Sequence, residues 1–96
     1  MINQVVTIRN NDSTWSSAES AFINVQTITD NLPIFEFLTQ ARKSGNMSHT
    51  VEFNGSNLLT FTRVWNDSAY NDYLTYTKGT SILEANGMTV TETITE

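Results

Sequence analysis

The spacing of apolar residues along this chain changes from every second position to every third or fourth and back, twice over. A strand repeats its face every second residue and a helix every third or fourth, so the period dictates the order of elements. Ile2, Val6 and Ile8 share one face of Met1–Arg9 and Val5 and Thr7 the other, which predicts a strand. Asn10-Asn11-Asp12-Ser13 supplies turn and cap residues. From Thr14 the stripe Trp15, Ala18, Phe22, Val25 and Ile28 predicts a helix. Asp30-Asn31-Leu32-Pro33 breaks it, because proline disfavours helix at the residue before it and suits the first turn of a new one. Ile34, Leu38 and Ala41 carry the stripe on to Arg42-Lys43 and Gly45, a cationic last turn and a glycine cap.

A hairpin follows. Met47, His49, Val51 and Phe53 alternate with polar residues, Asn54-Gly55 marks the turn, and Leu59, Phe61, Arg63 and Trp65 alternate with Leu58, Thr60, Thr62 and Val64. A two-residue loop would pair Val51 with Leu58. An odd loop puts Leu59 and Phe61 on the face of Val51 and His49, which segregates the large apolar groups better and is the expected register. Asn66-Asp67-Ser68 caps a further helix with Tyr70, Tyr73 and Leu74 inward, ending at Lys78-Gly79. Ile82-Leu83 reads as a short turn or helix, Asn86-Gly87 as a turn, and Met88–Thr95 as a strand with Met88, Val90 and Ile94 on one face.

Strand, broken helix, strand, strand, helix, strand is the ferredoxin-like β-α-β-β-α-β order. Right-handed crossovers then place the helices on one face of a four-stranded antiparallel sheet, an α+β fold. The covered face is expected to carry Val6, Ile8, Val51, Leu59, Phe61, Trp65, Val90 and Ile94. The other face holds Val5, Thr7, Thr50, Thr60, Thr62, Val64, Thr89, Thr91 and Thr93, β-branched and almost uncharged. Threonine favours strands intrinsically, so a solvated sheet would explain this face. Val5 and Val64 in mid-strand favour packing of two sheets in a symmetric homodimer.

At 96 residues the chain fits one domain spanning 1–96, since domains run to ~100–200 residues. Two Trp, three Tyr and five Phe supply the anchors of a folded core. Ten acidic against five basic residues give a net charge of −5, which excludes nucleic acid and an anionic membrane surface as partners. No apolar run approaches the ~18–20 residues that span a bilayer. The N-terminus lacks a basic region followed by an apolar stretch, and the chain has no cysteine, so a cytoplasmic location is expected. One histidine and no cysteine provide no zinc ligand set, and no glycine-rich phosphate loop or nucleophile elbow occurs, so no cofactor is expected. Asp67 and Asp72 read as a capping and a solvated carboxylate. The sequons at Asn11, Asn46, Asn54 and Asn66 reflect a composition rich in Asn, Ser and Thr.

Within this order, Arg63-Val64-Trp65-Asn66-Asp67-Ser68-Ala69-Tyr70-Asn71-Asp72-Tyr73-Leu74 resembles the dimeric α/β-barrel superfamily, in which a strand ends in Val-Trp and a short polar cap leads into a helix. That superfamily includes the antibiotic-biosynthesis-type monooxygenases and the heme-degrading monooxygenases. The resemblance implies a dimer whose two sheets form a barrel, a pocket between sheet and helices, and oxygenation that usually needs no bound flavin or metal. Heme-degrading members use an Asn on the first strand, the Trp ending the third and a His late in the second helical segment. Trp65 matches the second, Asn3 is the candidate for the first, and the third has no counterpart, because His49 is the single histidine and lies on the second strand.

The candidate site is His49, Phe61, Arg63, Trp65, Tyr73 and Phe22. His49 titrates near neutrality and serves either as a pocket acid, base or anion donor, or as a half-buried structural residue. Arg63, between Phe61 and Trp65, needs a partner or water. It pairs with Glu92 across the intervening strand, clamps a ligand carboxylate, or extends to solvent. Trp65, Tyr70, Tyr73 and Phe22 either wall a pocket or fill the core, and buried tyrosine hydroxyls need partners. Two functions follow. One is binding of an elongated apolar acid, fatty-acid-like or polyketide-like, with monooxygenase-like turnover implied by the resemblance alone. The other is a non-catalytic dimeric interaction module. An open cavity with Arg63 unpaired favours the first, and a filled core with a closed Arg63–Glu92 pair favours the second.

Overall fold

The computed structural model describes residues 1–96. Alternation produces the strands β1 (Ile2–Asn10), β2 (Met47–Asn54), β3 (Leu58–Trp65) and β4 (Met88–Thr95). They form one antiparallel sheet in the order β2-β3-β1-β4. The helices are α1 (Ala18–Thr29), α2 (Pro33–Ser44), α3 (Asp67–Tyr73) and α4 (Thr80–Ala85). The fold is the ferredoxin-like α+β arrangement, with each helical segment of the β-α-β unit broken in two.

The hairpin takes the odd register. Val51 lies opposite Phe61 and Phe53 opposite Leu59, which leaves Gly55, Ser56 and Asn57 as the loop. Pro33 opens α2, and Gly45 closes it in the left-handed region at φ 81°, with its N–H on the Arg42 carbonyl. Gly87 has φ 80°, in the left-handed region that side chains rarely adopt, so the turn before β4 favours glycine.

Three expectations are corrected. The first helix begins at Ala18 rather than beside Trp15, because Ser17 and Ser20 form a reciprocal capping box that fixes the start. Trp15 is nevertheless buried, and its indole N–H donates to Asn24 Oδ1 at 3.0 Å. The helix after β3 stops at Tyr73 instead of Lys78-Gly79. The Thr75 N–H and hydroxyl both turn back onto the Asp72 carbonyl, and Gly79 instead precedes α4. Leu74, expected inward, is 52% exposed as a result. Val51 and Ile94 keep their inward parity but are each 37% exposed on the edge strands β2 and β4.

The inward face divides the core. Ile2, Met47 and Trp65 join Ile34, Ala41, Ala69 and Tyr73 in one buried cluster. Val6, Ile8, Leu59, Phe61 and Met88 join Trp15, Ala21, Val25 and Leu83 in the other. Between them the register sets His49, Arg63 and Gln4 side by side across β2, β3 and β1. A polar row thus crosses an otherwise apolar surface.

Candidate functional site

Gln4 is fully buried at the centre of this row. The Trp65 indole donates to Gln4 Oε1 at 2.9 Å. An indole N–H can only donate, which fixes the orientation of the amide. Gln4 Nε2 then donates to the Tyr73 hydroxyl at 3.0 Å and to Glu92 Oε1 at 2.9 Å. The other Glu92 oxygen pairs with Lys78 Nζ at 3.0 Å. Burial alone would lower the Lys78 pKa, but the hydrogen bond and charge of Glu92 outweigh it and raise the value. The Lys78 ammonium also stands 5.2 Å from the centre of the Tyr73 ring.

Arg63 is served poorly by comparison. Its Nη1 makes a long hydrogen bond to Gln4 Oε1 at 3.4 Å, the nearby Tyr73 hydroxyl favours its charged form, and its buried Nε has no partner. The guanidinium carbon lies 5.7 Å from the Phe61 ring centre. Burial pulls the Arg63 pKa down from its ordinary value, and an arginine nonetheless stays charged. The expected direct pair with Glu92 is not made: the Gln4 amide stands between them and Lys78 takes the carboxylate.

Arg63 also lines two adjoining cavities beneath α1 and α2, of about 110 and 100 Å³. Both share Val25, Thr29, Phe35, Leu38, Phe61 and Arg63 as walls. The larger extends toward α4 and β4 and includes Tyr73, Lys78 and Glu92. The smaller extends toward β2 and includes Phe22, Arg42 and His49. A cavity of ~150 Å³ is enough to hold a benzene-sized molecule. Each on its own is smaller than that, and the walls they share put them side by side.

His49 accepts a hydrogen bond at Nε2 from Arg42 Nη1 at 3.0 Å. Burial, then the charges of Arg42 and Arg63, lower its pKa from the ordinary 6.5. The residues named from sequence therefore distribute unevenly. Phe61 and Arg63 wall both cavities, Phe22 and His49 the smaller, and Tyr73 the larger. Trp65 walls neither: it is fully buried, stacked on Phe37 at 6.0 Å between ring centres and tilted against Tyr73 at 5.0 Å. Asn3 lies on the opposite face of the sheet, paired with Val64, and does not meet Trp65.

Sequence reasoning missed Gln4, Arg42 and Lys78. Gln4 had a signal, because a polar residue interrupts the inward run Ile2, Val6, Ile8. Arg42 and Lys78 read as helix-end cations; Arg42 stays exposed, and only the packing of α2 on β2 brings it to His49, as the segment after α3 brings Lys78 to Glu92 on β4. No family model, curated protein or solved structure matches this chain.

Proposed function

We propose that this protein binds a small, elongated apolar acid in the paired cavities beneath α1 and α2, anchored by Arg63. One observation carries the reading. Arg63, half-buried, lines an otherwise mostly apolar space, has no carboxylate partner and leaves its buried Nε unsatisfied behind that wall. Leaving a buried donor unpaired costs ~1–3 kcal/mol, and a ligand carboxylate on the cavity side of the guanidinium would offset it through charge-assisted hydrogen bonds. Binding rather than oxygenation is the supported activity. The resemblance to the monooxygenases runs through Trp65, and that ring is packed away from the cavities and engaged by Gln4.

Native mass spectrometry of the purified protein, followed by analysis of its denatured extract, tests this reading. A mass excess matching an extractable organic acid is the expected result. Protein that carries no acid and takes up none when offered octanoate would move the assignment to a non-catalytic module.

The outward sheet face supports self-association in the same reading. Its positions on β1, β3 and β4 include Val5, Thr60, Thr62, Val64, Thr91 and Thr93, and its only charges are Arg9 and Glu52. Two such faces would bury one another as packed sheets around a two-fold axis. Val64→Asp places a carboxylate in that interface and is expected to weaken dimerisation by at least about a hundredfold, because burying an unpaired charge is strongly unfavourable. Sizing chromatography reads the effect directly. A wild-type monomer, or an unchanged dimer in the variant, would remove the sheet face as the interface.

A further inference from the structure

The two cavities differ in charge, and that difference orients a ligand. In the larger one, Lys78 is already neutralised by Glu92 at 3.0 Å. In the smaller one, Arg42, His49 and Arg63 converge from α2, β2 and β3, and no carboxylate is among its walls. The chain has only five Lys and Arg against ten Asp and Glu, so two arginines sharing a carboxylate-free chamber with the single histidine are notable for where they fall. The remaining element over this chamber, α1, contributes Phe22, Val25, Gln26 and Thr29, none titratable.

The hydrogen bond between Arg42 and His49 also fixes a protonation state. A guanidinium only donates, so Nε2 of His49 must be the acceptor and the imidazole is neutral. Two nearby arginine charges disfavour a third. An anion seated among the three offsets both charges: Nε2 takes up a proton, gives up the Arg42 hydrogen bond and donates to the anion, which also accepts from the freed Arg42.

Resting on the acid-binding reading above, the geometry points to an oxyanion subsite formed by Arg42, His49 and Arg63, which receives the head group of the acid and takes up a proton at His49 as it binds. The apolar chain then runs past Phe61 and Phe35 into the larger cavity. The sign follows from linkage. Free His49 is neutral from below its ordinary 6.5 upward, because its pKa is lowered. The bound anion raises it again, so affinity is greatest in acid and falls as pH rises between the free and bound values, by up to about tenfold per pH unit. Without ligand the same depression makes folding stability fall as pH drops below 6.5, since the unfolded chain then binds a proton that the folded chain refuses.

The experiment is calorimetric titration of the full chain with octanoate from about pH 5.5 to 8, where a carboxylate stays ionised, in two buffers of different ionisation enthalpy. Proton uptake and tighter binding at low pH are expected. His49→Gln should bind with a flat pH profile, and Arg42→Gln should weaken binding by about tenfold or more, exceeding the loss in Lys78→Gln. A pH-independent wild type, a profile that survives in His49→Gln, or a larger loss in Lys78→Gln would each overturn the subsite while leaving acid binding intact. No octanoate binding at any pH would overturn acid binding and the subsite with it.

Discussion

Trp65→Ala should cost about 3–5 kcal/mol and leave much of the protein unfolded at physiological temperature, because small folds hold only about 5–15 kcal/mol in total. The ring is fully buried and stacks on Phe37 with an interplanar angle of 13°. It meets Tyr70 edge-on at 6.3 Å between ring centres. Truncation therefore opens a void where α2 and α3 meet β1 and β3. It also removes the 2.9 Å donor to Gln4 Oε1, which retains only the long contact from Arg63. Trp65→Phe separates the two effects, since it keeps most of the volume and loses the donor, for about 1–2 kcal/mol. Urea unfolding followed by far-ultraviolet circular dichroism measures both. A loss below about 2 kcal/mol in the alanine variant would mean that Phe37 and Tyr73 collapse into the space.

The same residue marks how far the sequence could be read. Strand order, the break at Pro33, the Gly45 cap and the odd hairpin loop all rest on local chemistry, and each is visible within a few residues. The start of α1 was obscured because two local signals compete. The apolar period includes Trp15, while the hydroxyls of Ser17 and Ser20 close the capping box later. The polar row was partly legible, since parity alone puts His49 and Arg63 on the inward face. Its wiring was not. Whether Arg63 reaches Glu92 depends on what occupies β1 between them, and that residue, Gln4, is uncharged and can satisfy both neighbours at once. Aromatic spacing likewise could not say which rings wall a cavity, because Trp65 and Phe61 lie on the same strand face yet in different core clusters.

Arg63→Met is expected to move stability and binding in opposite directions. Methionine fills a similar volume with a flexible apolar chain and brings no charge inward. The substitution orphans no carboxylate, because Glu92 keeps Lys78 at 3.0 Å and Gln4 at 2.9 Å. Gln4 Oε1 keeps the Trp65 indole. What is lost is a long 3.4 Å hydrogen bond and a cation over Phe61, and what is relieved is a half-buried charge with a buried, unpartnered Nε. Replacing poorly compensated buried charge by apolar groups is neutral to stabilising by ~1–4 kcal/mol, so the unfolding midpoint in urea should rise. Octanoate affinity should fall by at least about tenfold in the same preparation, since a charge-assisted hydrogen bond contributes ~1.5–3 kcal/mol. His49 should also titrate closer to its ordinary value, because one of the two arginine charges that depress it is gone. A variant that is less stable than wild type would show that Arg63 serves the fold through Gln4 and Phe61. A variant that gains stability but binds octanoate unchanged would place the anchor on Arg42 alone. Only a gain in stability coupled to a loss of binding identifies Arg63 as a strained, ligand-directed charge, held in the core at the expense of the fold because an acid completes it.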